Sequence, residues 1–190
     1  MSGDFIDSTQ ILLTNQYSFR DLEKDGASSF LIASTKDTFL CTAKHLLSDA
    51  MGFIPEILTT EFDTDLNYWK VFPRTDKLSA DTVKVQHIIN STYSPKDIIL
   101  LACSIPQNSK LQVLQPRLSR VEVGETLYLI GYEYSDTECH QRLYSTKLAA
   151  YYEGMLSFSI DSTVNLSDFS GSPILDEKGY IVGVLSSGYN

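Results

Sequence analysis

Three side chains of the chain have the types and contexts needed for nucleophilic hydrolysis: a serine, a histidine and an aspartate. The serine is Ser170, within Asp-Phe-Ser-Gly-Ser-Pro at residues 168–173. A serine hydroxyl is a poor nucleophile at neutral pH, so it needs an imidazole to accept its proton and a carboxylate to orient that imidazole. His45, which closes a predicted strand, is the candidate base, and Asp97, which opens one, is the candidate carboxylate.

The backbone around Ser170 could supply a further requirement of this chemistry. Acyl transfer develops an oxyanion that preorganised N–H donors must stabilise. A tight turn before Ser170 can aim the N–H groups of Asp168 and Ser170 at one point, and Gly171 permits close backbone approach. The alternative is that Ser-Gly-Ser-Pro is only a loop, that His45 is structural and that Asp97 is a turn residue. The occurrence of all three contexts in one chain favours the catalytic interpretation.

The elements that must position these residues are predicted to be almost entirely β. Apolar and aromatic runs at residues 29–34 and 38–42 flank a polar turn of hairpin length. Further strands are predicted at residues 10–14, 69–72, 82–89, 98–103, 126–132, 143–152, 156–160, 172–175 and 180–186. Residues 43–47 give the one suggestion of a helical turn. Gly179, in the segment 176–179, stands where a four-residue turn needs positive φ, which predicts a hairpin directly after Ser170.

The spacing of these strands is typical of β-barrels, and the chain length suits one catalytic domain over residues 1–190. The segment 106–121 is polar and contains Pro106 and Pro116. We interpret it as a linker between an N-terminal barrel, residues 1–105, and a C-terminal barrel, residues 122–190.

Composition excludes some partners. The formal charge of −9 argues against nucleic acid and against an anionic membrane surface. Residues 1–7 carry two acids and no base, and no apolar core of signal-peptide length follows them, so we do not expect an N-terminal secretion signal. The number of cysteines, three, is odd, which in an unsecreted chain favours free thiols. We therefore expect a cytoplasmic location. Adjacent Cys139 and His140 lack ligand spacing, and only His87 remains besides His45, so no metal and no cofactor are expected.

Around these residues the chain resembles trypsin/chymotrypsin-like serine proteases, and most of all the bacterial HtrA/Deg protease core. Residues 26–32, Gly-Ala-Ser-Ser-Phe-Leu-Ile, are similar to that core's Gly-Ser-Gly-Phe-Val-Ile, and residues 41–47, Cys-Thr-Ala-Lys-His-Leu-Leu, to its Leu-Thr-Asn-Ala-His-Val-Val. Residues 97–101 resemble Asp-Leu-Ala-Val-Leu of the same core. Residues 123–126 resemble its Val-Gly-Asp, and residues 130–132 resemble the Ile-Gly-Asn that accompanies it. Residues 161–173 resemble Asp-Ala-Ala-Ile-Asn-Pro-Gly-Asn-Ser-Gly-Gly-Pro. The order His, Asp, Ser agrees with this resemblance.

The resemblance implies an all-β, chymotrypsin-like fold of two perpendicular six-stranded barrels with the active site in the cleft between them. It implies that His45 is the general base, Asp97 its orienting partner and Ser170 the nucleophile, with the N–H groups of Asp168 and Ser170 as the oxyanion hole.

The same resemblance implies where a substrate binds. The segment that pairs with an extended substrate backbone would be Ser186, Ser187 and Gly188. The base of the primary specificity pocket would be lined by Thr163, Val164 and Asn165. None of these is acidic, so we expect small or medium apolar residues at the P1 position of the substrate rather than Lys or Arg.

Departures from the family pattern carry expectations of their own. Phe169 replaces the aspartate that pairs with a newly cut N-terminus in trypsin-type enzymes, so activation by that ion pair is not expected. Asp168 replaces a glycine, and its carboxylate opposes an oxyanion. Only five strands are predicted in the second barrel, so we expect it to lack its last strand. Either the sequence is a fragment of a longer protein, or the open edge is covered by another chain or by an unusual strand pairing, and we expect a tendency to form homo-oligomers through that edge.

The sequence therefore predicts a serine endopeptidase working through an acyl-enzyme on Ser170. Two alternatives stay open. One is a protease-like peptide-binding or scaffold module whose triad is vestigial or slow, which Asp168 and the short C-terminus favour. The other is an esterase or acyltransferase on the same fold, which would use the same nucleophile.

Overall fold

A computed structural model of the protein describes residues 4–5, 9–74, 81–89, 96–133, 136–160, 164–166 and 168–186. These residues form fourteen strands, one α-helix and two short 3-10 helices. No helix within these ranges is long and apolar enough to cross a membrane. The strands form two β units with separate cores and a shared apolar interface.

The first unit is a closed barrel of six strands in the order β2, β5, β6, β7, β4, β3, with β3 pairing back onto β2. The strands are β2 (Leu13–Phe19), β3 (Leu22–Ala33), β4 (Thr38–Thr42), β5 (Leu66–Phe72), β6 (Val83–Ile88) and β7 (Ile99–Ser104). Several buried aromatic rings pack together in the core of this barrel, with Tyr17 stacked on Trp69 at a centroid distance of 4.7 Å. The Trp69 indole donates to the buried Asn15 side chain, 3.0 Å away, so this polar group inside the barrel is satisfied.

The long hairpin β2–β3 differs from the sequence prediction, which placed strands only at residues 10–14 and 29–34. Both strands continue through residues 15–28, which are mostly polar, paired from Leu13 opposite Ser29 to Phe19 opposite Leu22. The turn between them uses Arg20 at a φ of 53°, without a glycine. A turn without Gly, Pro or Asn between partly polar strands gives little sequence signal, which explains why the hairpin was not predicted.

The helical content also exceeds the prediction. The turn predicted at residues 43–47 is a 3-10 helix, Lys44–Leu47, but a second one, Asp49–Met51, and an α-helix, α1 (Thr59–Asp65), were not predicted. Helix α1 buries a single side chain, Phe62, against Phe19 at a centroid distance of 5.1 Å. One buried residue in seven gives no helical period in the sequence.

The second unit is an open sheet with a separate hairpin. The sheet has the order β1, β10, β9, β13, β14, and the hairpin pairs β11 with β12. The strands are β1 (Asp4–Phe5), β9 (Thr126–Gly131), β10 (Arg142–Lys147), β11 (Ala150–Tyr152), β12 (Met155–Ser157), β13 (Pro173–Asp176) and β14 (Ile181–Val184). Among the described residues no strand closes this sheet between its edges.

The strand predicted at residues 143–152 is two strands in the structure. Between β10 and β11 the buried Leu148 exchanges backbone hydrogen bonds with the turn at Gly124 and Glu125. The pairing of β10 with β9 ends one residue earlier, at Lys147 opposite Thr126.

The segment predicted as a linker, residues 106–121, is more ordered than a simple connection. It contains β8 (Val113–Leu114), which runs parallel to β3, and Pro116 forms a bridge with Ile181 of β14. Strand β1, from the part of the chain assigned to the first barrel, pairs with β10 of the second sheet. An apolar cluster lies between the units and includes Leu12, Phe30 and Ile130. The two units are therefore joined by strand pairings and by this apolar cluster, as well as by the connecting segment.

Candidate active site

His45 and Asp97 come together because they follow and precede two neighbouring strands. His45 lies in the 3-10 helix after β4 and Asp97 lies just before β7, and these antiparallel strands pair Thr42 with Ile99. The Asp97 carboxylate binds His45 at two points. Its Oδ2 is 2.6 Å from Nδ1 of the imidazole, and its Oδ1 accepts the backbone N–H of His45 at 2.7 Å. This double contact fixes both the position and the ring orientation of His45.

A third donor reaches the same carboxylate from the second unit. The hydroxyl of Ser186, just after β14, donates to Oδ2 of Asp97 at 2.6 Å. Burial of Asp97 on its own would raise the pKa of the carboxyl, but the hydrogen bonds from His45 and Ser186 outweigh burial and hold that pKa below its usual range. Asp97 is therefore a carboxylate held in its ionised form.

Ser170 is tied to β3 and β4, the two strands that precede His45 in the chain. The carbonyl of Ser170 accepts the N–H of Ser28 on β3 at 2.7 Å. The carbonyl of Ser28 in turn accepts the hydroxyl of Thr42, at the end of β4, at 2.7 Å. Thr42 lies three residues before His45, so two hydrogen bonds link the loop that carries Ser170 to the end of the strand that leads to His45.

A second route ties the same loop to Asp97. The N–H of Gly171 donates to the carbonyl of Leu185 at 2.8 Å, and the N–H of Leu185 donates to the carbonyl of Ser172 at 2.8 Å. Leu185 directly precedes Ser186, the donor to Asp97. Gly171 has a φ of 85°, and a Cβ there would lie 2.0 Å from the carbonyl oxygen of Ser28, so only glycine fits. Within the described residues the Ser170 hydroxyl makes no hydrogen bond to His45, a bond that often tightens only when substrate binds.

The turn before Ser170 has the conformation expected of a donor turn. Asp168 has a φ of 69°, in the left-handed region, and its carbonyl accepts the hydroxyl of Ser28 at 3.0 Å. In the described part of the chain neither the N–H of Asp168 nor that of Ser170 donates to a protein acceptor. Both groups are thus available to a ligand.

Phe169 anchors this turn in the core of the second unit. Its ring is fully buried and lies 5.6 Å, centroid to centroid, from Tyr144. A Cβ on Gly131 of β9 would lie 2.0 Å from the ring, so Gly131 provides the space that Phe169 occupies. A buried aromatic ring therefore holds the residue directly before Ser170 in place.

The residues predicted to contact substrate are placed only in part. Val164 packs against the apolar core of the second unit, and Asn165 is exposed. Thr163, Ser187 and Gly188 lie outside the described residues. Ser186 was predicted to pair with substrate through its backbone, and the contact of its hydroxyl with Asp97 was missed. No local pattern reveals that contact, because it joins the ends of β7 and β14.

The cysteines and the remaining histidines lie apart from this arrangement. Cys41, Cys103 and Cys139 are unpaired, and burial raises the pKa of the Cys41 thiol to about 12. His140 contacts the carboxylates of Asp136 and Glu138, each at 3.3 Å.

Comparison with known proteins identifies the family. The model of the trypsin-like peptidase domain matches residues 2–184, while a search of curated protein sequences found no match. Among solved structures, Deg5 is similar with a TM-score of 0.62 and 16% identity over 95% of this chain and 80% of that one. The thermostable serine protease AL20 from an extremophilic microorganism gives a TM-score of 0.67 and 13% identity over 96% and 87% of the two chains.

The protease Anisep from Arthrobacter nicotinovorans gives a TM-score of 0.68 and 12% identity over 100% of this chain and 88% of that one. At these identities the three structures show a shared chymotrypsin-like fold and no more. The family model spans both β units and every residue from His45 to Ser170, and on that ground the chain belongs to the trypsin-like peptidase family.

Proposed function

We propose that the protein is a serine endopeptidase that hydrolyses peptide bonds through an acyl-enzyme on Ser170. The observation that supports this most is the Asp97 carboxylate, which holds His45 at two points and is linked by short hydrogen-bonded chains to the loop of Ser170. A histidine with only a structural role does not need an ionised carboxylate that accepts three hydrogen bonds. Nor does it need a connection to a serine on a turn with a left-handed residue, Asp168.

In the proposed reaction the Ser170 hydroxyl oxygen attacks the carbonyl carbon of the scissile bond while Nε2 of His45 takes its proton. The carbonyl oxygen becomes an oxyanion that accepts the N–H groups of Asp168 and Ser170. His45 then gives the proton to the leaving amine as the carbon–nitrogen bond breaks. A water molecule, activated by His45, hydrolyses the acyl-enzyme and restores Ser170.

The role of Asp97 in this sequence is electrostatic. Because its pKa lies below the usual range, it stays ionised at neutral pH, accepts Nδ1–H of His45 and stabilises the imidazolium that forms. No proton has to pass to Asp97. The steps use side chains, backbone N–H groups and water alone, so the proposal requires no cofactor.

We propose an extended polypeptide as the substrate, paired with the segment that follows β14, Ser186, Ser187 and Gly188. The primary pocket would be lined by Thr163, Val164 and Asn165, and their lack of charge favours small or medium apolar P1 residues. A profile of cleaved peptides from a library would contradict this if cleavage after Lys or Arg dominated.

The second candidate function is a peptide-binding module on the same fold with slow or no catalysis. The observation in its favour is Asp168, which places a carboxylate at the turn where an oxyanion would form. The cleft and strand edges would then capture a peptide without cleaving it.

Intact-mass analysis after incubation with a fluorophosphonate separates the two functions, because this reagent modifies only an activated serine. We expect one adduct, mapped to Ser170, with no adduct in Ser170→Ala and a much slower reaction in His45→Ala. The matched control is Ser172→Ala, at a buried serine two positions away, which should still react. A folded wild-type protein that stayed unmodified would overturn the peptidase and favour the binding module.

A further inference from the structure

The carboxylate of Asp168 is an electrostatic problem for the proposed reaction. It belongs to the residue whose N–H would bind the oxyanion, so an unpaired negative charge here weakens the donor site it is part of. Asp168 also holds a left-handed φ of 69°, which costs free energy for a residue with a Cβ. The turn can stabilise an oxyanion only if another group in the chain offsets both the negative charge of Asp168 and the cost of its left-handed backbone.

Arg74, which follows β5 in the first barrel, faces this carboxylate. Its Nη2 lies 3.7 Å from Oδ2 of Asp168, and both side chains are partly buried, at 22% and 32% exposure. The other oxygen, Oδ1, points toward Gly26, where a Cβ would lie 3.4 Å away. The carboxylate of Asp168 therefore lies between the guanidinium of Arg74 and the backbone of Gly26.

The guanidinium of Arg74 packs over the ring of Tyr132. Its carbon lies 5.7 Å from the ring centroid of Tyr132, within the range of a cation–π contact. Tyr132 is itself buried, and its hydroxyl donates to the carbonyl of Leu12 and accepts from the amide of Gln10, each at 3.0 Å. Arg74 is thus oriented by the interface between the two units.

The two side chains border a cavity of about 280 Å³ beside the nucleophile turn. Its lining includes a second carboxylate, Asp25, and Arg74 is the one cation among the lining residues that the structure describes. Loss of Arg74 would leave two acids among these lining residues without that compensating charge.

We propose that Arg74 is a positioning residue for the oxyanion hole. Its ion pair with Asp168 neutralises that carboxylate, draws it away from the N–H groups of Asp168 and Ser170, and holds the left-handed turn. Arg74 touches neither the substrate nor the reacting atoms and acts only through Asp168. This inference rests on the proposed peptidase function.

The test is a double-substitution cycle on kcat and KM for peptide hydrolysis and on the rate of phosphonate labelling. Arg74→Met keeps the length of the side chain and removes its charge, and we expect kcat to fall about 10- to 100-fold, less than the loss of a whole oxyanion donor, with KM changed less than about twofold. Arg74→Lys should recover most of the loss. In the Asp168→Gly background, where no carboxylate needs pairing and glycine suits the φ, Arg74→Met should have almost no effect.

The control is Arg120→Met. Arg120 also stacks on a tyrosine, with 4.2 Å between its guanidinium carbon and the Tyr151 centroid, but it lies on the exposed linker. This variant should keep wild-type kcat, so a general effect of removing an arginine is separated from the effect at Asp168.

Two results would overturn the inference while leaving the peptidase intact. One is an Arg74→Met enzyme with wild-type kcat. The other is a fall in kcat that is as large in the Asp168→Gly background as in wild type, because Arg74 would then act independently of the carboxylate. A wild type that neither cleaves peptides nor reacts with phosphonate refutes the proposed function, and with it the positioning role.

Discussion

Asp97 accepts more hydrogen bonds than the orientation of one imidazole requires. Two come from His45 and a third from Ser186, so the side chain joins the end of β7 to the end of β14. Its lowered pKa follows from these donors, which prevail over burial. The carboxylate therefore joins the two units, and in the proposed reaction it would also stabilise the imidazolium, so the two contributions can be measured separately.

Replacement of Asp97 by Asn should reveal both contributions. At neutral pH we expect kcat to fall by about 10⁴-fold, because an amide cannot hold the imidazole in the required tautomer. A carboxyl with a lowered folded-state pKa stabilises the protein above its unfolded pKa of about 3.9, and this stabilisation is lost as the pH falls through the folded value. Urea unfolding at several pH values should therefore show a steeper loss of stability in acid for wild type than for Asp97→Asn. Parallel curves would contradict the pKa argument.

Residues with a local sequence context could be predicted, and those placed by distant strand ends could not. His45, Asp97 and Ser170 each lie in a recognisable segment beside a strand, and the structure puts the first two in contact and ties the loop of the third to them. Ser186 and Arg74 had no such context, because their partners lie in the other unit. Tertiary contacts of this kind leave no periodicity in the sequence.

At the scale of elements, turn chemistry decided what could be predicted. Gly179 predicted the hairpin β13–β14, and in the structure Gly179 has a φ of 81° in the turn of this hairpin. Oδ1 of Asp176 accepts the N–H groups of Lys178 and Tyr180 in the same turn. The β2–β3 hairpin turns at Arg20 without glycine and was not expected. A glycine in the sequence therefore predicts a hairpin turn only where the turn contains that glycine.

The contact between Gly131 on β9 and Phe169 on the nucleophile turn supplies a prediction at this scale. Gly131→Ala places a Cβ where the ring lies, and overpacking of this kind costs about 1–3 kcal/mol of unfolding free energy. The displaced ring should also shift Ser170, so phosphonate labelling should slow. Chemical denaturation and labelling rates measure the two effects.

The matched control is the pair Gly131→Ala with Phe169→Leu, in which the smaller side chain leaves room for the new methyl group. Adding Gly131→Ala to Phe169→Leu should cost far less stability than adding it to wild type. Equal costs in both backgrounds would show that the ring is not what the methyl group meets.

The whole molecule combines one closed barrel with one open sheet. Edge strands with unpaired backbone groups favour association with another chain. In the second unit the hairpin β11–β12 also carries two exposed apolar side chains, Tyr152 at 65% and Met155 at 54% exposure. Part of the β14 edge is covered by the linker, since Arg117 and Gln115 exchange backbone hydrogen bonds with Ile181. The remaining open edge is the place where we expect copies of the chain to meet.

Light scattering at increasing protein concentration should therefore show reversible self-association. Met155→Lys, which adds a charge beside the open edge, should shift the association to higher concentration. Ile54→Lys is the control, because Ile54 is 82% exposed but lies in the first unit, between the core residues Phe53 and Ile57, and it should leave the association unchanged. A wild type that remains monomeric at the highest concentration would exclude association through this edge.

The burial of Phe169 makes the nucleophile turn part of the folding unit. A loop held by surface charges can detach while the rest of the protein stays folded, and activity is then lost before the molecule melts. Here the ring next to Ser170 cannot leave its site without opening the core of the second unit. Heat should thus abolish labelling of Ser170 and melt the second sheet at the same temperature. Any substitution that loosens this core, however far from the cleft, should lower the temperature limit of catalysis by the same amount as it lowers Tm.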